Sequence, residues 1–337
     1  MRVIDGARGE GGGQVLRTSL ALSLLTGEPL KIVNIRAGRK RPGLLRQHLC
    51  ALKLAAEVGH AEVEGAETGS REVVFRPREV APSHYEISVG TAGSTSLVLQ
   101  TVLPALLTAK GPTSLVLEGG THNPLAPPYD FLVRAFLPLI NRMGPVVAVQ
   151  LDRPGFYPAG GGRLRVSIQP VAKLTPLNLL ERGEVRSRCA TAFVAALSPE
   201  IAKRELAVLG HRLGWIEDEL RVHELPAALG PGNVLSAVIE SDHVTEVFTG
   251  FGEKSVRAEA VAELVATAVR AYFDAGVPVG PQLADQLLLP LAMAKAGAFR
   301  TMGLTPHART QLELVHEITG TIFQLIESDG AVTVAVA

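Results

Sequence analysis

The sequence predicts a mixed α/β protein, α+β in the arrangement of its parts. It consists of a large domain of three repeated α/β units, residues 1–180 and 276–337, and a smaller two-helix, four-strand α+β domain, residues 181–275, inserted before the third unit. Three observations lead there. A chain of 337 residues exceeds what a single hydrophobic core usually organises, so two domains are expected. An ordered set of helix-like and strand-like runs recurs three times along the chain. A long segment between the second and third recurrences carries a pattern of its own.

The first unit reads QVLRTSLALSLLTG from Gln14, then PLKIVNI, RPGLLRQHLCALKLAAEVG and AEVEGAE. The second reads STSLVLQTVLPALLTAKG from Ser94, then TSLVLEG, APPYDFLVRAFLPLINRMG and PVVAVQLD. The third reads QLADQLLLPLAMAKAG from Gln282, then AFRTMGL, HARTQLELVHEITG and TIFQLIES. Each is helix, strand, helix, strand, and each helix-like run ends in glycine, a common stop because glycine enters the left-handed region without steric cost. In the intervening segment, Gly183–Val194, Glu219–Glu224, Asn233–Ser241 and Val244–Gly250 alternate as strands do. Pro199–Leu213 and Val256–Phe273 have helical spacing, and Ser198-Pro199-Glu200 supplies a helix start with proline in the first turn.

Composition excludes several classes. Hydrophobic residues make up 47% and charged residues 20%, which describes a soluble globular chain rather than a disordered one. No apolar stretch is long and pure enough to span a bilayer, so no membrane partner is expected. Met1-Arg2-Val3-Ile4-Asp5 leads directly into a glycine-rich loop with no signal peptide. Cys50 and Cys189 are the only cysteines, which fits a reducing compartment and excludes a cysteine metal cluster; a cytoplasmic location is expected. Formal net charge is zero, so any binding of phosphate must come from local patches.

Four loops carry candidate chemistry. Asp5 to Arg17 packs five glycines around Glu10 and opens onto the helix that begins at Gln14. A helix N-terminus attracts anions, Arg17 can fork onto a phosphate, and Glu10 can hold a divalent cation. The same residues also suit a tight strand-to-helix turn with a solvated Glu and Arg. The loop is not a P-loop, since no Gly-Lys-Ser/Thr ends it. Arg36 to His48 holds five Arg or Lys side chains and no acid, a patch suited to phosphates or simply a solvated basic loop. Gly119 to Pro128 has the prolines to form a flat wall for a base, or to serve as a rigid connection. Arg153 to Gly162 ends in three glycines before the alternating strand Arg163–Ile168, either a close backbone approach or a hairpin turn.

In this order, GARGEGGGQVLR, IRAGRKRPGLLRQH, GGTHNPLAPP, GFYPAGGG and LADQLLLP closely resemble the RNA 3′-terminal phosphate cyclase family, from Asp5 to the C-terminus. The resemblance implies a large domain of three repeats with a smaller inserted domain. It also implies ATP-dependent conversion of an RNA 3′-phosphate to a 2′,3′-cyclic phosphodiester, in which a histidine is adenylylated, AMP passes to the RNA and the 2′-hydroxyl displaces it. The implied nucleophile is His307, within Thr305-Pro306-His307-Ala308-Arg309-Thr310. The implied ATP-binding residues are Arg17, Gln100, Pro127 and the segment Gln282, Leu283, Ala284, Asp285 and Gln286. Glu10 is the implied ligand of a divalent cation, Mg2+ or Mn2+. Arg36, Arg39, Arg46, Gln47 and His48 are implied to line the groove for RNA, and the oligomeric state is left open between monomer and homodimer.

Three positions depart from the family pattern. Gln282 replaces a common aromatic that stacks on adenine, Gln311 stands where Asn often follows the Thr, and Pro154 precedes the glycine of GFYP in place of Arg or His. Two other classes remain: cyclase-like relatives that lack the nucleophilic histidine, against which His307 argues, and enolpyruvyl transferases on a similar scaffold, which the basic loop and the late histidine fit poorly.

Overall fold

The computed structural model describes all 337 residues, Met1–Ala337. The first stretch runs β1 (Arg2–Asp5), α1 (Gln14–Thr26), β2 (Leu30–Val33), α2 (Arg46–Val58), β3 (Glu62–Glu64) and β4 (Val73–Arg76). The second runs β5 (His84–Ser88), α3 (Thr95–Leu106), β6 (Thr113–Gly119), α4 (Tyr129–Phe131), α5 (Leu137–Arg142), β7 (Val146–Arg153) and β8 (Gly162–Gln169). After β9 (Leu177–Leu179) come β10 (Val185–Ala195), α6 (Pro199–Leu213), β11 (Leu220–Glu224), β12 (Gly232–Ser241), β13 (Thr245–Phe251) and α7 (Ala258–Ala275). The chain closes with α8 (Pro281–Ala294), β14 (Gly297–Thr301), α9 (Pro306–Thr319), β15 (Phe323–Ser328) and β16 (Ala331–Val336).

The strands form four mixed four-stranded sheets, ordered β1-β2-β4-β3, β5-β6-β8-β7, β9-β14-β16-β15 and β11-β10-β12-β13. In the first three, one edge pair is parallel (β1 with β2, β5 with β6, β9 with β14) and the remaining pairs are antiparallel. The strands β1, β5 and β9 had no counterpart in the sequence pattern. Each is a short edge strand with few inward residues: β1 buries only Ile4, β5 only Tyr85. β9 already belongs to the sheet of β14–β16, so the chain enters that sheet before residues 185–275 and returns to it afterwards.

α1, α3 and α8 are buried on nearly every side; in α1 each residue from Gln14 to Leu24 is buried. A helix buried all round belongs inside, and these three share the main core with α2 and α9, to which they contribute Leu20, Val98 and Leu287 among others. Glycine stops α1 and α9, with Gly27 and Gly320 left-handed. The expected stop at Gly111 does not hold, because α3 ends at Leu106. Nor does Gly297 stop α8: Lys295 takes the left-handed cap. Between α4 and α5 the helix widens into a π-turn, Leu132–Phe136, just ahead of Pro138, which has no N–H to give the carbonyl four residues back.

β10–β13 pack one face on α6 and α7 around a second core that includes Leu209, Val265 and Tyr272. Their other face gives Val238 and Val247 to the main core. Two buried carboxylates lie in this part. Asn233 Nδ2 donates to Glu205 Oε2 at 2.9 Å, and the backbone N–H of Gly280 donates to Glu246 Oε1 at 2.5 Å.

Burial pushes the Glu205 carboxyl up to about 7 and that of Glu246 up to about 8; the hydrogen bonds each accepts oppose this only in part. Both folded values lie above the unfolded one, so their contribution to stability is complete below the unfolded value and is lost as pH rises through the folded ones. Thermal melts should therefore show stability falling from about pH 5 to about pH 8. Glu246→Gln, which keeps the acceptor and cannot ionise, should flatten that slope; an unchanged slope would mean that Glu246 is ionised in the fold.

Candidate active site

The glycine-rich loop joins β1 to α1. Asp5 Oδ1 accepts from the N–H of Ala7 at 3.0 Å and from Asn34 Nδ2 at 3.2 Å, which pins the start of the loop. Two glycines set how closely other elements approach. Gly9 is left-handed at φ 60°, and a Cβ there would collide with the Thr310 side chain of α9. A Cβ on Gly13 would strike the His48 ring and the Arg17 guanidinium. No side chain caps α1, so its first N–H groups face the loop without a side-chain acceptor.

His307 is the second residue of α9. Pro306 starts the helix, and Thr305 is its N-cap, its Oγ1 accepting from the Ala308 N–H at 2.9 Å. Gln14 Nε2 donates to the His307 carbonyl at 2.8 Å, tying the start of α1 to the start of α9. His307 Nε2 lies 3.7 Å from Glu10 Oε2, and Arg39 Nη2 reaches that same oxygen at 3.4 Å. Thr305 Oγ1 also donates to Asp285 Oδ1 at 2.7 Å. One turn further in, Gln100 Nε2 donates to Gln286 Oε1 at 2.8 Å, and Arg17 Nε donates to Gln100 Oε1 at 3.4 Å.

The electrostatics follow from burial around one cation. Arg17 is buried and forms no ion pair; burial lowers its pKa to about 10, so it stays charged at neutral pH. Burial first, then Arg17 and Arg36, hold His48 down at about 3. Its Nδ1 accepts from the Leu45 N–H at 3.3 Å, which places the ring proton on Nε2. Burial also lowers the pKa of His307; Glu10 opposes this, while Arg17 and Arg39 add to it. The imidazole is therefore neutral at neutral pH. Burial pushes Asp285 up to about 6, with Glu10 adding to the rise and the Thr305 hydroxyl opposing it.

A cavity opens beside this cluster. Arg17, Gln100, Gln286 and Gln311 line its polar side, and Pro127 and Leu132 are among its apolar residues. Four residues expected to hold a nucleotide thus converge here: Arg17, Gln100, Pro127 and Gln286. Asp285 is held nearby through Thr305. Gln282 is exposed at the start of α8, whereas Leu283 and Ala284 are packed into the main core, so any contact of theirs with a ligand is through the backbone.

The basic loop does not form one uniform surface. Arg39 belongs to the Glu10–His307 cluster. Arg36 turns its guanidinium onto the carbonyls of Arg41 and Gly43 in its own loop. Arg46 is exposed, Gln47 Oε1 accepts from the Ser94 N–H at 2.8 Å, and His48 is buried rather than groove-lining. Three contributors had not been picked out as site residues: Gln14, Thr305 and Gln311. The Thr-Pro pair before a helix was the available signal for Thr305; the other two are visible only once α1, α3, α8 and α9 are brought together.

The family model for RNA 3′-terminal phosphate cyclase matches residues 8–325. An RNA 3′-terminal phosphate cyclase from Koribacter versatilis is 48% identical over 337 residues, covering 100% of this chain and 95% of that one. Proteins of the same name from Ralstonia nicotianae and Ectopseudomonas mendocina are 50% and 49% identical, over 93% of this chain and 90% and 91% of theirs. The enolpyruvyl transferase NikO from Streptomyces tendae aligns with a TM-score of 0.40 at 11% identity, over 99% of this chain and 47% of that one. The chain belongs to the RNA 3′-terminal phosphate cyclase family and is an enzyme. No helix is long and apolar enough to cross a membrane.

The closeness of the glycine loop to His48 can be tested directly. His48 is anchored through Nδ1 and cannot swing away freely, so Gly13→Ala should destabilise the fold by about 1–3 kcal/mol, the usual range for overpacking. Gly12→Ala, whose Cβ would meet only the outer end of Arg39, should cost less. Thermal melts of the two variants check the order.

Proposed function

We propose that the protein converts an RNA 3′-terminal phosphate to a 2′,3′-cyclic phosphodiester, consuming ATP through an adenylylated His307. The observation that carries this reading is the neutral, half-buried His307, set between Glu10 and the positive field of Arg17 and Arg39, one helical turn from a cavity lined by Gln100, Pro127 and Gln286.

The His307 imidazole attacks the α-phosphorus of ATP, the bond to the bridging oxygen breaks, and pyrophosphate leaves. An oxygen of the RNA 3′-phosphate then attacks the AMP phosphorus and the imidazole departs neutral. Last, the adjacent 2′-hydroxyl attacks the 3′-phosphorus, loses its proton and expels AMP. Arg17 and Arg39 offset the charge that grows on the departing pyrophosphate, a kind of stabilisation commonly worth several kcal/mol. Gln100, Pro127, Asp285 and Gln286 hold the nucleotide.

Glu10 suits a divalent cation: it offers a half-exposed carboxylate, and no cluster of three or more His, Cys, Asp or Glu side chains forms a closed protein cage. Mg2+ characteristically takes one or two carboxylates, with phosphate oxygens and waters completing its shell. Bound there, it would neutralise phosphate charge.

Of Arg36, Arg39, Arg46, Gln47 and His48, the basic side chains Arg36, Arg39 and Arg46 are read as the side from which RNA enters, while the buried His48 and the Ser94-bound Gln47 support the loop from behind. We read residues 181–275 as a module inserted into the third of three equivalent units, supported by the strand order that three sheets share. The cytoplasm fits a chain with two unpaired cysteines.

Radiolabelled ATP tests the nucleophile. Wild-type protein should acquire covalent AMP, while His307→Ala and His307→Asn should acquire none and should not cyclise a 3′-phosphate oligonucleotide. Covalent AMP on either variant would overturn the assignment. The basic loop is tested separately with Arg36→Ala/Arg46→Ala, which should weaken RNA binding and reduce its salt slope by about 1 to 1.5. AMP labelling should be largely retained. A fall in labelling as large as the fall in RNA binding would assign the loop to ATP instead.

A further inference from the structure

We propose that Thr305 is a positioning residue for the nucleotide, fixing the Asp285 carboxylate of α8 against the first turn of α9. This rests on the reading of ATP binding and His307 adenylylation above. The argument starts from one oxygen atom. A hydroxyl has a single proton, and Thr305 Oγ1 gives it to Asp285 Oδ1 at 2.7 Å. A lone pair on the same oxygen accepts the Ala308 N–H at 2.9 Å. The two bonds share one atom, so the direction of each is settled and the two helices are fixed together.

No other side-chain hydrogen bond joins α8 to the start of α9, and the protein gives that carboxylate no other donor. Asp285 Oδ2 is left free to accept from the nucleotide. A carboxylate accepts and does not donate, so its partner is a ribose hydroxyl or an exocyclic amino group, not a phosphate oxygen. Thr305 thereby sets where the nucleoside end of ATP lies relative to His307, two residues further along.

Two substitutions separate this role from capping. Thr305→Ser keeps both hydrogen bonds. Thr305→Gly removes the donor to Asp285, while glycine at an N-cap costs only a few tenths of a kcal/mol. The measurement is the rate of AMP labelling as a function of ATP concentration, with thermal melts as the control for folding.

Thr305→Ser should behave as wild type. Thr305→Gly should need about tenfold more ATP for half-maximal rate, the scale expected for losing a hydrogen bond to a charged group. Its rate at saturating ATP should stay within about threefold of wild type, as a minor loss of capping allows. An unchanged ATP requirement in Thr305→Gly overturns the proposal, as does a lower saturated rate at unchanged requirement, which would make Thr305 a cap alone. Should Thr305→Gly melt well below wild type, the same criteria are applied at a temperature at which the melts show both proteins fully folded. Absence of labelling in the wild type would instead overturn the reading of His307, and ATP-dependent thermal shift of the same variants would still measure the nucleotide requirement.

Discussion

The site is organised by the burial of Arg17 without a carboxylate to pair with it. Removing an ion from water costs several kcal/mol even after the protein relaxes, and Gln100 Oε1 at 3.4 Å returns only part of that. The fold nonetheless retains that charge on α1, a helix buried from Gln14 to Leu24. Burial first, and then this charge, hold His48 and His307 below the usual histidine value, which leaves an uncharged imidazole close to a buried cation.

Around that cation, helices from three separate parts of the chain meet: α1 and α9 at their first turns, α3 and α8 near their middles. Gln14 reaches across to the His307 carbonyl, Gln100 links Arg17 to Gln286, and Thr305 links Asp285 to α9. The glycine loop permits the meeting, because side chains at Gly9 and Gly13 would hold off α9 and α2. Loop, cation and histidine are therefore consequences of one packing arrangement, and a change to any of the four linking hydrogen bonds moves His307 relative to Arg17.

Much of this was legible from the sequence. The runs at Gln14, Ser94 and Gln282 became α1, α3 and α8 because their apolar residues are nearly continuous, a pattern that survives only inside a core. TSLVLEG and Pro199–Leu213 matched β6 and α6 at both ends. The edge strands β1, β5 and β9 were not legible, because three to five residues with one or two inward side chains carry no period. The stops at Gly111 and Gly297 misled, because a glycine marks where a helix is able to end and the tertiary packing decides where it does. At the site, Arg17, Gln100, Pro127, Gln286 and His307 were named before the helices were assembled. The basic run hid a division: a count of charges does not distinguish Arg39, which reaches Glu10, from Arg36, whose guanidinium closes its own loop.

The β10–β13 sheet is not a passive appendage to this arrangement. Glu246 on β13 accepts the N–H of Gly280, the residue that caps α8, and Tyr272 on α7 donates its hydroxyl to the Pro278 carbonyl. Both bonds are buried and both act on the short link that leads into α8. The helix that brings Gln286 to the cavity is thus anchored at its N-cap by the segment that precedes it and at Asp285 by Thr305. Between two fixed points five residues apart, an α-helix has little freedom to rotate. The orientation of α8 is consequently set by contacts from β13 and α7 on one side and from the start of α9 on the other, and residues 181–275 contribute to the geometry of the site without lining its cavity.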